Sequence, residues 1–137
     1  MRIMAIDYGD ARTGVAVSDE SATLVGDVWV VNSRNAGETA HIMAEEAKAR
    51  GVSHIVVGYP KNMDGTIGPR AEKCVNFAGL LRSICEIEVS LRDERLTTVS
   101  AHRILTETGK FGKKRKNTVD AVAAALILEE YLAYLQR

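Results

Sequence analysis

The feature that most constrains this chain is a change of hydrophobic period near residue 35. Before it, apolar residues come in short β-branched runs broken by turn formers. After it, stretches with apolar residues three and four apart alternate with further short runs. Residues 1–6 carry Ile3, Met4, Ala5 and Ile6 and end on Asp7, with Gly9 and Asp10 in the turn that follows. Residues 14–17 resume the pattern and close on Ser18, Asp19 and Glu20, so the first two runs read as a hairpin. A third β-rich run covers residues 24–31, interrupted by Gly26 and Asp27.

From residue 35 to 50, Ala40, Met43, Ala44 and Ala47 share one helical face, and Gly51 suits the position just past a helix end. Residues 54–58 are short, apolar and β-branched, as a buried parallel strand should be. Residues 59–69 hold both prolines and form a loop. Residues 70–85 read as a helix through Cys74, Phe77, Ala78, Leu81 and Ile84, and residues 86–92 alternate as a half-buried strand. A helix is expected over residues 97–108, stopped by Gly109. A basic loop then precedes a final apolar helix over residues 118–135.

That order predicts an α/β fold: a five-stranded mixed sheet, made of an antiparallel three-strand meander plus two parallel strands, with helices packed on its faces. Right-handed crossovers place both late strands beyond the first strand, away from the meander. With 137 residues and no repeat or linker, the whole chain, 1–137, is read as one domain. The longest uncharged apolar stretch, residues 121–128, is under half of the roughly 20 needed to span a bilayer, so no membrane partner is expected. Only residues 3–6 separate Arg2 from Asp7, which leaves no secretory core. Cys74 and Cys85 lack metal or redox spacing and fit packing roles in a reduced, cytoplasmic protein.

The acidic residues can be sorted by whether they end a core element. Asp7 closes the first strand; Asp93 and Glu94 close the last; carboxyl ends of parallel strands share one sheet edge, where α/β proteins bind ligands. Asp120 sits in the first turn of the last predicted helix, in step with Ala123, Ala124, Ile127, Leu128 and Tyr131, and so on its apolar face. An acid there is costly unless paired, hydrogen-bonded or metal-bound. Taken singly, Asp7 could cap a turn, Glu94 could pair with Arg95, and Asp120 could complement the helix dipole. Together they form an oxygen-only donor set that favours Mg²⁺ or Mn²⁺ over zinc, since His41, His54 and His102 make no ligand pair at helical spacing.

These residues sit in four stretches: Asp7-Tyr8-Gly9-Asp10-Ala11-Arg12-Thr13-Gly14 through Asp19, Val57-Gly58-Tyr59-Pro60-Lys61-Asn62-Met63-Asp64-Gly65-Thr66, Asp93-Glu94-Arg95-Leu96-Thr97-Thr98, and Val119-Asp120-Ala121-Val122-Ala123-Ala124. In this order and spacing they resemble the YqgF (RuvX-type) family of RNase H-like nucleases over essentially the full length. The resemblance implies an RNase H-like fold. It implies that Asp7, Glu94 and Asp120 are the catalytic, metal-binding acids, with Asp93 an additional candidate ligand. It further implies 5′-end processing of pre-16S ribosomal RNA in a bacterial cytoplasm, and it accounts for an older description as a Holliday-junction resolvase.

The chemistry suits such a set. A hydrolase that cuts phosphate esters must activate water and stabilise the leaving oxygen, and a pair of divalent ions held by carboxylates does both. Total charge argues against a nucleic-acid partner, because 18 Lys and Arg balance 18 Asp and Glu. Position reverses that argument. Lys110, Lys113, Lys114, Arg115 and Lys116 lie together just before Asp120, where they can hold phosphates; a solvated loop is the plainer alternative. Lys61 and Asn62 in the 59–69 loop, and Arg95 beside Glu94, are further substrate-binding candidates, the first two chiefly through the family match.

Three readings compete. Precursor rRNA is the favoured substrate, with branched DNA the close alternative and a homodimer compatible with either. A non-catalytic RNA-binding maturation factor is the third. Sugar-kinase and actin-like ATPases share the opening DxGxxxxG pattern, but they close two such domains around a nucleotide.

Overall fold

The structure is a computed structural model that describes residues 1–59, 67–93 and 112–136, with the backbone alone over 112–120. Its elements run β1 (Arg2–Asp7), β2 (Arg12–Ser18), β3 (Val25–Asn32), α1 (Ala36–Ala49), β4 (Val52–Tyr59), α2 (Pro69–Ile84), β5 (Glu88–Asp93) and α3 (Gly112–Leu135). The expected helix over 97–108 lies outside the described residues, as do His102, Lys61, Asn62, Glu94 and Arg95.

Local chemistry sets the helix limits. Asn35 caps α1, its Oδ1 accepting the Glu38 amide at 2.9 Å, and Gly51 leaves the helix at φ +70°, a conformation that favours glycine. Pro69 opens α2, where the missing N–H costs nothing. α3 begins at Gly112, so Lys113, Lys114, Arg115 and Lys116, expected in a loop, are helical. Lysine and arginine are good helix formers, and repulsion between like charges a turn apart costs only tenths of a kcal/mol. The charge run had masked that propensity.

The five strands form one sheet in the order β3-β2-β1-β4-β5. β1 pairs antiparallel with β2, and β2 with β3, whereas β1–β4 and β4–β5 are parallel. This is the meander with two parallel strands beyond β1 that the change of period implied. The sheet is covered on both faces. On one, Met4, Ile6, Val15, Val17, Ile55 and Val57 meet Ala40, Met43 and Ala47 of α1 and Cys74, Phe77, Ala78 and Leu81 of α2. On the other, Ile3, Ala5, Ala16 and Val56 meet Ala124, Ile127, Leu128 and Leu132 of α3. β1 is therefore buried on both sides, and its side chains alternate strictly between the two cores.

At the meander edge, Arg50 joins α1 to β3. Its guanidinium lies 4.3 Å over the Trp29 ring, with Nη1 2.7 Å from Asp27 Oδ2 and Nε 2.9 Å from Glu46 Oε2. At the opposite edge, His54 stacks on Tyr131 of α3 at 5.4 Å and shares a 2.9 Å hydrogen bond with Ser90 of β5. Cys74 is buried among the α2 core residues, as a packing residue.

Candidate active site

The alternation along β1 decides where Asp7 points. Ile3 and Ala5 belong to the α3 side and Met4 and Ile6 to the α1–α2 side, so Asp7 continues the α3 face. It is the last residue of the central strand and is only 6% exposed. Its register partner on β2 is Gly14, and on β4 Gly58 follows Val57, the partner of Ile6. Both strand positions flanking Asp7 on its own face thus carry no side chain. What borders the carboxylate within the sheet is main chain.

A cation fits this environment. A buried carboxylate flanked within the sheet by glycines meets no side chain from those positions, and its oxygens are the hard donors that Mg²⁺ and Mn²⁺ prefer. Of the other expected ligands, Glu94 lies outside the described residues. For Asp120 the helical backbone is described: it stands one turn before Ala124, which is fully buried against the face that Asp7 shares. Tyr131, near the end of α3, stacks on His54 of β4, and the Arg92 guanidinium of β5 lies over the Tyr131 and Tyr134 rings, so the last turns of α3 cover the parallel side of the sheet.

Asp93 is placed differently. In β5, Val89 and Leu91 pack on the α1–α2 side, and Asp93 continues that parity, in register with Tyr59 of β4. It shares the edge with Asp7 but belongs to the opposite face of the sheet. Among the described residues, no three Asp, Glu, His or Cys side chains gather as a metal site.

After Asp7 the chain turns over α2. The Tyr8 ring stacks on Phe77 with centroids 4.3 Å apart and an interplanar angle of 15°, and its carbonyl accepts from Arg70 Nη2 at 3.2 Å. Burial holds the Tyr8 hydroxyl above its ordinary pKa. Gly9 is required by close approach: a Cβ there would sit 2.3 Å from the Arg12 carbonyl oxygen. The Gly9 amide donates to Thr13 Oγ1 at 3.4 Å, closing the turn into β2. Asp10 receives Lys73 Nζ on both oxygens, at 3.0 and 3.1 Å. That hydrogen bond, with the charges of Lys73, Arg70 and Arg34, holds the Asp10 carboxyl below the usual carboxylate range.

Arg34, Arg70 and Lys73 are basic residues that no motif in the sequence marks. They are scattered along the chain, and only the fold gathers them around Asp10. A weak sequence signal existed: Arg70 and Lys73 fall in the first turns of a helix that follows a strand of the same edge.

A five-stranded mixed sheet in the order β3-β2-β1-β4-β5, with helices on both faces, is the RNase H-like fold. Two solved structures share the fold. The Thermus thermophilus RuvC in complex with a Holliday junction substrate aligns with a TM-score of 0.62 and 16% identity, over 99% of this chain and 96% of that one. The Fowlpox virus resolvase in complex with Holliday junction DNA gives a TM-score of 0.62 and 12% identity, with both chains covered completely.

Sequence narrows the class to a family. The profile of RuvX, described as Holliday junction resolvase, matches residues 1–134, and the chain belongs to that family. A relative from Halothermothrix orenii named "Putative pre-16S rRNA nuclease" is 43% identical over 134 residues, 98% of this chain and 96% of its own. A relative of the same name from Acetivibrio thermocellus is 44% identical over 142 aligned positions, 96% of this chain and 95% of its own.

Proposed function

We propose that this protein is a metal-dependent nuclease that hydrolyses phosphodiester bonds in precursor 16S rRNA during maturation of its 5′ end. The observation that carries the reading is Asp7: a carboxylate 6% exposed, ending the central strand, flanked on its own face by Gly14 and by Gly58. The names of the full-length relatives support the choice of substrate.

Asp7, Glu94 and Asp120 would hold Mg²⁺ or Mn²⁺, in the favoured reading as a pair of ions. When bound, such ions supply Lewis acidity to the phosphodiester and offset charge on the leaving oxygen. The residues of the chain do the rest. β1, buried between two cores, fixes Asp7 so that no reorganisation is needed as charge develops. The flanking glycines let a sugar-phosphate backbone come close to the strand ends. Lys113, Lys114, Arg115 and Lys116, in the opening turns of α3, together with Lys61, Asn62 and Arg95, hold the phosphates on either side of the reacting one. No helix among the described residues is long and apolar enough to cross a membrane, and the proposed site of action is the cytoplasm, where precursor rRNA is made.

A junction-resolving activity on branched DNA is the second reading, favoured by the description of the family. A cleavage assay with Mn²⁺ separates the two, comparing wild type, Asp7→Asn and Asp120→Asn on precursor RNA and on four-way junction DNA. The expected result is cleavage of the RNA, lost in both variants. Efficient cutting of the junction with the RNA left intact would transfer the assignment to the second reading. Activity that survives both substitutions would remove the carboxylate mechanism altogether.

A further inference from the structure

The turn that leaves Asp7 carries a second constellation, on the other face of the sheet. Asp10 is held by Lys73 through both of its oxygens, Arg70 reaches the carbonyl of Tyr8 two residues earlier, and Arg34 follows the end of β3 close enough to act on the Asp10 carboxyl. Lys73 is thus bound to Asp10 itself and Arg70 to the turn beside it, while the charge of Arg34, from another part of the fold, also acts on that acid. The three cations are exposed, and the Lys73 and Asp10 side chains are 55% and 60% accessible. An ion pair this open contributes little to stability, so it is readily exchanged for a stronger partner. A nucleic-acid strand is such a partner: each backbone phosphodiester carries one charge on two free oxygens, as a carboxylate does, but its phosphates come linked, pair with lysine and arginine, and release condensed counterions on binding.

We propose that Arg34, Arg70 and Lys73 form a subsite for a backbone phosphate of the nucleic acid, and that the Asp10 carboxylate occupies this subsite until a phosphate displaces it. The nucleic acid as ligand rests on the nuclease reading; the subsite itself rests on the geometry around Asp10. Asp7 faces α3, whereas Asp10 is bound to α2 on the opposite side of the sheet. The phosphate held here is consequently not the one that reacts. It belongs to a strand that passes over the carboxyl end of β1, with α3 and its lysines on one side and α2 on the other. Asp10 then acts as an internal competitor, screening the cations from adventitious anions and giving way to a polyanion.

This arrangement predicts opposite effects from neighbouring residues. Binding of a short labelled single-stranded RNA and of four-way junction DNA is measured in EDTA, where no cutting occurs, over a range of salt concentrations. Arg34→Gln with Lys73→Gln, which keeps the Arg70 bond to the turn, should weaken binding about tenfold. It should also flatten the dependence of log K on log salt by about 0.7 to 0.9 for each phosphate that is no longer neutralised. Asp10→Asn should bind several-fold more tightly than wild type, a gain that a merely structural role for the ion pair would not produce. Thermal unfolding of each variant checks that the turn is intact.

Unchanged affinity and slope in the double variant, or Asp10→Asn binding no better than wild type, would overturn the subsite. So would failure of the wild type to bind either probe. Variants that bind both probes as wild type does, while Asp7→Asn still abolishes cleavage, would leave the nuclease reading standing without the subsite. The reverse pattern, altered binding in a protein that cuts neither substrate, would keep the subsite and dismiss the nuclease.

Discussion

Asp7 and Gly9 are two residues apart and face opposite demands. In the proposed site the first would need space for a cation beside a buried carboxylate; the second needs an absence of side chain so that the turn can fold back on the Arg12 carbonyl. Gly9→Ala puts a methyl group where backbone already lies, 2.3 Å from that oxygen, so the turn must move. The expected cost is about 1 to 3 kcal/mol in thermal unfolding, with a fall in cleavage because the displaced turn continues directly from Asp7. A second prediction separates the adjacent acids of β5. Asp93 lies on the α1–α2 face with Val89 and Leu91, away from the face of Asp7. Asp93→Asn should therefore retain cleavage, while Glu94→Gln abolishes it, when both are assayed with Mn²⁺. The alternation of Ile87, Val89 and Leu91 already assigned Asp93 to a face in the sequence. Position at the edge of the sheet groups it with Asp7, and side of the sheet separates the two.

Among the elements, α2 ties the core to the turn that leaves Asp7. Phe77 is 2% exposed and carries the stacked Tyr8 ring, so Phe77→Ala removes both core packing and the support of the turn. A loss of about 3 to 5 kcal/mol is expected in denaturant unfolding. α3 offers the contrasting case. Replacing Lys113, Lys114 and Lys116 with alanine should leave helicity unchanged or raised, since alanine is the better helix former, yet weaken nucleic-acid binding and flatten its salt dependence. Circular dichroism and the salt titration read the two effects separately. The element types and the sheet order were legible because each rests on local periodicity and on connection handedness. The start of α3 was not, because a run of like charges resembles a solvated loop until helix propensity is weighed against a weak repulsion. The cations around Asp10 were not legible for a different reason: Lys73 and Asp10 are 63 residues apart, and only the packing of α2 on the end of β1 brings them together.

At the scale of the whole molecule, a formal charge of zero conceals an uneven distribution. In the proposed site, acids at one edge of the sheet would repel one another and a bound cation would relieve that repulsion, which would link stability to metal. Mn²⁺ at a hundredfold excess over its Kd should stabilise the wild type by about 2.7 kcal/mol, a rise of several degrees in Tm, and should leave Asp7→Asn essentially unmoved. Equal shifts in the two proteins would place the ion somewhere other than Asp7.

The glycines on either side of Asp7 also bear on how such a site can change over time. Two of its walls are main chain, which is blind to the identity of a base, and any substitution of Gly14 or Gly58 would set a side chain beside the carboxylate. Substrate preference is therefore left to the helices and loops around that floor, whose side chains can change without crowding the carboxylate.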